Sequence, residues 1–390
     1  MIVLDKPYVS EFLRNTLQKH QIPLIDTLGD DFADLQDGLN IISEKEAIER
    51  FKNNPSQLLL TNSENSISWT ENNLNFTDLP KKINLFKNKV AFRQLLSKIY
   101  PDFYFKAVKY QDLDKLGVYN LRMPFIIKPA VGFFSIGVYK VDSIDEWTGV
   151  IEKIKTEIEN TDELFPKEVL DVSEFTIEEY IDGDEYAIDC YFNADGQPVI
   201  LNILKHLFAS GKDVSDRVYV TSKEVLESTL EPVKKFLASV GELTDLRNFP
   251  VHVEIRIDKN GILHAIEFNP MRFGGWCTTA DMAFYSFGFN SYMHYFNQAE
   301  PNWDEILDSL GDKVYSIIVL DNNSGVADDR IKSFNYEALL SDFSMPLELR
   351  KIDYNKYPLF GFLFAETKQS DISELENILK SDLKKYITTY

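Results

Sequence analysis

The segment 251–269 constrains this chain more than any other. It reads Val-His-Val-Glu-Ile-Arg-Ile-Asp-Lys-Asn-Gly-Ile-Leu-His-Ala-Ile-Glu-Phe-Asn, two runs of period-2 alternation on either side of Asn260-Gly261, a dipeptide that favours tight hairpin turns. A two-residue turn sets Lys259 against Ile262, Glu254 against Glu267 and His252 against Asn269. Because strand side chains alternate, Glu254, Glu267 and Asn269 then share one face. Val253, Ile255, Ile257, Ile262, Ile266 and Phe268 fill the other, a core face on which His264 is the polar exception. Carboxylates directly opposite on a sheet have Cβ atoms about 5 Å apart and repel. Two carboxylates and an amide oxygen held this way are hard ligands for a hard cation such as Mg²⁺. The competing reading is a solvated strand face on which Arg256, two residues along, neutralises the pair.

The bulk properties narrow the classes. A length of 390 residues allows two or three domains. A net charge of −21, from 41 basic and 62 acidic residues, argues against nucleic acid or an anionic membrane as the main partner. Cys190 and Cys277 form neither a disulfide framework nor a metal-type spacing and read as buried thiols of a cytoplasmic protein. The first residues are charged too soon for a signal peptide, and no apolar run reaches membrane-spanning length.

Strand and helix patterns alternate over residues 1–80, which predicts a small parallel α/β unit. It lacks a Gly-x-Gly-x-x-Gly loop. Asn88 is the expected N-cap of a helix running to Leu96. From Pro124 the chain turns strand-rich. Phe125 to Pro129 is an expected strand that ends near Lys128, before a turn containing Gly132 and Gly137. A helix is expected from Ser143 to Ile158, a strand from Phe175 to Ile181, and a hairpin joins Glu185–Phe192 to Pro198–Leu204 through Asp195-Gly196. A helix from about Glu231, with Pro232 in its first turn, leads to the 251–269 hairpin. The last 90 residues read as a separate unit that closes with a helix over 372–387.

Several segments carry polar chemistry. Lys128 can offset a phosphate charge beside backbone N–H groups, although Phe133 and Phe134 make the following loop glycine-poor. As a bare feature it reads more simply as a strand-end lysine reaching for water. Glu178 through Ile181 can pair with a base edge, and Glu185 just beyond can accept from ribose hydroxyls; the plainer alternative is an acidic strand end. His206 falls opposite Glu185 by the Asp195-Gly196 register. Arg272 to Asp281 offers two glycines, two threonines and Trp276 for a substrate carboxylate, or is a plain loop before a helix.

The order of these parts resembles the ATP-grasp superfamily over about residues 85–275. The residues that carry it are Lys89 in Asn-Lys-Val-Ala-Phe-Arg, Lys128 in Ile-Ile-Lys-Pro, Glu178 to Ile181, Glu185 in Gly-Asp-Glu, Glu254 in His-Val-Glu-Ile-Arg, and Glu267 with Asn269 in Ile-Glu-Phe-Asn-Pro. The resemblance implies an α/β (α+β) ATP-grasp fold. A small parallel α/β domain would cover 1–80, the nucleotide-binding and catalytic region 81–300 with its lid at about 120–180, and an α+β subdomain 301–390. It implies that Lys89 and Lys128 hold the α- and β-phosphates of ATP, that Glu178 accepts from the adenine amino group, and that the Tyr180 and Ile181 backbone reads the base edge. Glu185 would take the ribose hydroxyls. Glu254, Glu267 and Asn269 would hold Mg²⁺, with Mn²⁺ as a substitute.

Family members often place an arginine two residues after the metal asparagine; here Met271 stands there and Arg272 follows. Arg272 is assigned to the transferred phosphate, against the alternative of a surface arginine paired to Asp281 or Glu267. The implied activity is an ATP-dependent carboxylate–amine ligase of the amino-acid-joining branch. Its partners would be a small-molecule acid and amine, amino acids among them, with a second copy of the chain as the candidate protein partner in a homodimer. A bicarbonate-using carboxylase and a non-catalytic nucleotide-binding protein are the alternatives.

Overall fold

The structure is a computed structural model that describes residues 1–27, 38–132, 137–161, 171–210 and 215–390. The loop expectation at Phe133 and Phe134 falls outside them. Among the described residues no helix is long and apolar enough to cross a membrane.

The N-terminal unit is the expected parallel sheet. Four short strands run in the order Ile41–Ile42, Leu24–Ile25, Ile2–Val3, Leu60–Thr61. Helices Glu11–His20 and Glu44–Asn53 start where Ser10 and Ser43 accept from backbone N–H groups three residues on, satisfying otherwise unpaired donors.

A second sheet has the strand order Phe105–Lys109, Asp171–Glu179, Phe125–Val131, Tyr139–Val141, all antiparallel. Helix Trp147–Thr161 packs Val150, Ile151 and Ile154 with Phe125, Ile127, Phe175 and Ile177 in a core of their own. Lys128 lies in the middle of its strand, which runs on to Val131.

The largest sheet has eight antiparallel strands in the order Leu263–Pro270, Phe249–Asp258, Gly183–Phe192, Pro198–Leu207, Val218–Ser222, Lys313–Asp321, Leu359–Lys368, Pro346–Lys351. The three C-terminal strands therefore continue the sheet that carries the hairpins rather than making one of their own. The expected closing helix is short, Ser373–Leu379, because the chain end is drawn into a strand, Ile387–Thr389, paired with Ile331–Phe334. Helix Lys223–Thr244 is longer than predicted and carries Pro232 inside it. Pro232 and Ser228, four residues before it, are exposed, so the carbonyl that loses its donor faces water.

Both hairpins differ from the predicted turn in the same way. At 258–262, Gly261 N–H bonds Asp258 O and Asp258 N–H bonds Ile262 O, leaving a three-residue loop with Gly261 at φ +76°. This is a type I turn closed by a left-handed glycine. The register is then one residue off the two-residue expectation: Ile257 faces Leu263 and Ile255 faces Ala265. A bulge at Ile266 cancels the offset, and Glu254 faces Glu267 as predicted. Consequently Leu263 and Ala265 are buried, whereas the predicted core residue Ile262 is 47 % exposed. The other hairpin repeats this, with Gly196 at φ +80° and a bulge at Leu201, so His206 still faces Glu185.

Candidate nucleotide and cation site

The two hairpins are adjacent and line up their polar residues in rows across the sheet. One row is Glu267, Glu254 and Ala187; the next is Asn269, His252, Asp189 and Asn202; the third is His264, Arg256, Glu185 and His206. Small Ala187 beside Glu254 leaves the facing carboxylates the space of that row.

The surroundings pull Glu254 and Glu267 in opposite directions. Burial and the facing Glu267 push the Glu254 carboxyl well above the usual carboxylate range, although 33 % of its side chain is open to solvent. Burial would raise Glu267 too. The Lys89 ammonium, 3.5 Å from Oε2, and the Asn269 amide, donating to Oε1 at 2.9 Å, outweigh it and hold Glu267 low. The pair accepts one negative charge readily and resists the second, a resistance that a divalent cation removes. Two carboxylates plus the Asn269 amide oxygen form a hard donor set that fits Mg²⁺. Among the described residues no group of three Asp, Glu, His or Cys side chains suited to a metal occurs.

Lys89 opens helix Lys89–Leu96, whose N-cap Asn88 accepts from Ala91 N–H as predicted. Its ammonium also donates to Gly132 O at 3.2 Å. Lys128 and Glu178 are diagonal neighbours on adjacent strands of the smaller sheet, where Lys128 pairs with Thr176; both are buried, with Nζ 3.0 Å from Oε2. Arg93, four residues along the helix from Lys89, donates to the same oxygen at 2.6 Å. Burial raises Glu178, but the two cations overcome this and bring it down to about 2. Burial, with Arg93 and Lys89 nearby, holds Lys128 below the ordinary lysine value. An arriving phosphate would offset that crowding of positive charge. Glu178 Oε1 is buried and accepts from no group among the described residues, an orphan acceptor that suits an amino group.

Among the described residues, two of the four backbone polar groups of Tyr180 and Ile181 are engaged: Tyr180 N–H bonds Pro124 O, and Ile181 O accepts from Arg256 at 2.8 Å. The Tyr180 ring is approached by two cations, Lys140 Nζ at 4.2 Å and the Arg256 guanidinium at 5.4 Å from its centroid. Arg256 therefore does not neutralise the facing carboxylates. It binds Glu185 at 2.9 and 3.0 Å, and His206 holds the other Glu185 oxygen at 3.0 Å. With both oxygens held by protein, Glu185 has only its remaining lone pairs for a ribose.

Arg272 pairs with neither Asp281 nor Glu267. It binds Glu64 of the N-terminal unit at 2.5 Å, and Lys87 binds the other Glu64 oxygen. Asp281 is buried against Arg350 at 2.6 Å. The one-residue displacement of the arginine has a backbone cause. Met271 takes φ +66°, its N–H bonds Pro250 O and its carbonyl accepts from Thr61. Its side chain is wholly buried, so an arginine there would point into the core, whereas position 272 turns towards Glu64.

Sequence reasoning missed Arg93, Glu64, Lys87, Asp189 and His252 as site residues. Arg93 was readable as the cation one helical turn beyond Lys89, and Asp189 as a lone carboxylate inside the apolar run Tyr186–Phe192. Nothing local marked Glu64, whose contacts are more than twenty residues away.

The fold is an ATP-grasp architecture: residues 121–280 match the family model of the ATP-grasp domain, and the chain as a whole has that fold. Solved structures agree. The L-amino acid ligase of Bacillus licheniformis aligns over 100 % of this chain and 98 % of its own at 16 % identity and a TM-score of 0.68. N5-carboxyaminoimidazole ribonucleotide synthetase of Thermotoga maritima aligns over 99 % and 98 % at 14 % identity and 0.63. The biotin carboxylase domain of Hydrogenobacter thermophilus 2-oxoglutarate carboxylase, solved with MgADP and bicarbonate, aligns over 100 % and 90 % at 10 % identity and 0.63. None of the curated proteins compared matches the sequence.

Proposed function

We propose that this protein is an ATP-dependent ligase that activates a carboxylate as an acyl phosphate and joins it to an amine, releasing ADP and phosphate. The observation that carries the reading is the facing Glu254–Glu267 pair with Asn269, with the Lys89 ammonium 3.5 Å from Glu267 and the Arg272 charge favouring the ionised form of Glu254. Support for the amine-joining branch comes from the end-to-end likeness to an L-amino acid ligase.

In this reading a substrate carboxylate oxygen attacks the γ-phosphorus of ATP and the bond to the bridging oxygen breaks, releasing ADP. The amine nitrogen then attacks the acyl carbon, the bond to phosphate breaks, and the nitrogen loses a proton. Phosphoryl transfer needs positioning and charge neutralisation more than covalent catalysis. Lys89 and Lys128 would hold phosphate oxygens, and Arg272 the transferred group. Glu178 Oε1 would accept from the adenine amino group, with the remaining Tyr180–Ile181 backbone groups beside the base. Glu185 would face the ribose. Mg²⁺ held by Glu254, Glu267 and Asn269 would neutralise charge on the triphosphate. Neither cysteine is suited to act as a nucleophile: burial pushes the Cys277 thiol up to about 11 and Cys190 well above its usual value.

The likeness to a biotin carboxylase domain keeps bicarbonate as a second candidate acid. ADP release on mixing with MgATP and pooled amino acids tests both. Turnover that needs two amino acids supports the ligase; turnover that needs bicarbonate contradicts it in favour of the carboxylase; tight ATP binding with no turnover contradicts both.

A further inference from the structure

Asp189 has 0 % exposure and sits in strand Gly183–Phe192 between core residues Ile188 and Cys190. A buried carboxylate is costly unless hydrogen bonds compensate it. Asp189 accepts three. Its Oδ1 takes the His252 ring N–H at 2.7 Å and the Gly274 backbone N–H at 2.9 Å, and its Oδ2 takes the Thr279 hydroxyl.

The donors come from two places. His252 stands two residues before Glu254, and its Nε2 is 3.7 Å from Glu254 Oε1. Gly274 and Thr279 belong to the turn after Arg272. That turn is pressed onto itself, since a Cβ at Gly274 would fall 2.2 Å from Thr279 Oγ1. It carries two consecutive left-handed residues, Trp276 at φ +56° and Cys277 at φ +58°. Such a shape persists only where its surroundings fix it. Asn202, next to Asp189 in the same cross-strand row, adds a bond from its amide to Thr279 O at 2.9 Å.

We propose that Asp189 is a positioning residue that couples the cation-holding carboxylates to the 273–279 turn: one buried carboxylate fixes His252 beside Glu254 and clamps Gly274 and Thr279 at the same time. The proposal rests on the reading that Glu254 and Glu267 hold a divalent cation. Asp189 touches no reacting atom. Groups in this outer position orient the ligands themselves, and their loss costs about 10–100-fold in metal affinity. A carboxylate that merely fills the core would have no reason to link the two.

The test is Mn²⁺ binding followed by electron paramagnetic resonance in the presence of ADP, together with hydrogen exchange of the 273–279 amides with and without Mn²⁺ and ADP. In the wild-type protein Mn²⁺ and ADP should slow exchange in that turn. Asp189→Asn preserves shape and should weaken Mn²⁺ by about tenfold and abolish the slowing. His252→Gln should weaken Mn²⁺ by a similar factor. Thr279→Val should keep wild-type Mn²⁺ affinity and lose only the slowing. Should Asp189→Asn fail to fold, the other two variants decide. Folded variants that bind Mn²⁺ and protect the turn as the wild type does would overturn the coupling while leaving the ligase reading intact. Wild-type protein that binds no Mn²⁺, or a Glu267→Gln variant that binds it unchanged, would overturn the cation reading itself.

Discussion

Glu254 faces Glu267 across two antiparallel strands although the turn that joins those strands is one residue longer than the register between them requires; the bulge at Ile266 makes up the difference. The opposition of the two carboxylates is thus built by two compensating irregularities. The same device sets Glu185 against His206 in the neighbouring hairpin.

Removing one member of the facing pair should end turnover without unfolding the protein. Glu267→Gln is expected to lower MgATP-dependent ADP release by about a hundredfold or more. Its circular dichroism and melting temperature should stay near wild type, because the side chain is 27 % exposed. Activity within a factor of two of wild type would contradict the assignment.

The Arg93–Glu178–Lys128 cluster separates binding from stability. Lys128→Ala leaves Glu178 with Arg93 and should raise the KM for ATP by about tenfold. Arg93→Met removes the shorter of the two contacts to a buried carboxylate and should destabilise the fold by about 3 kcal/mol in urea titration. An unaltered KM in the first variant or unaltered stability in the second would count against the cluster as described.

Glu64 ties acid stability to Arg272. Burial raises its carboxyl, but Lys87 and Arg272 outweigh this and hold it far below its ordinary value of 4.5. A depressed folded-state pKa contributes stability that is fully present above the unfolded value and lost as pH falls through the folded one. Glu64→Gln should therefore be less stable than wild type at pH 7. The gap should persist down to about pH 4.5 and close progressively at lower pH, as read from denaturant midpoints across that range. A gap that widens on acidification would contradict the sign.

Gly261 tests the turn in isolation. At φ +76° with open space around it, Gly261→Ala meets no clash and should cost about 1 kcal/mol from the left-handed backbone alone. Mn²⁺ affinity should not change, because the bulge at Ile266 lies between the turn and the carboxylates.

The legibility of the site follows from this geometry. Asn-Gly and the alternation of Val253, Ile255 and Phe268 announced a hairpin, and the facing pair was read correctly because a longer turn and an unseen bulge cancel. The same cancellation explains the misplacement of Ile262 and Ile266 on the core face: bulges follow sheet curvature and leave no local sequence mark. Lys89, Lys128 and Glu178 were legible as an ordered set, since each sits at a fixed place on its own helix or strand. Their mutual pairing was not, because Arg93, the cation that binds Glu178 most closely, is identified only once the smaller sheet is folded against the helix. Arg272 was legible as a residue and illegible as a contact. Its partner Glu64 lies 208 positions earlier, and long-range ion pairs carry no periodic signal. The C-terminal segment read as separate because its strands look like any buried run; that they extend the hairpin sheet is a matter of topology.

The most direct measurement is a crystal structure with Mg²⁺ and a non-hydrolysable ATP analogue. The account predicts an ion bound by Glu254, Glu267 and Asn269 at about 2.1 Å, beneath a triphosphate whose oxygens meet Lys89 and Lys128. A triphosphate bound elsewhere, or those three side chains without an ion between them, would contradict it.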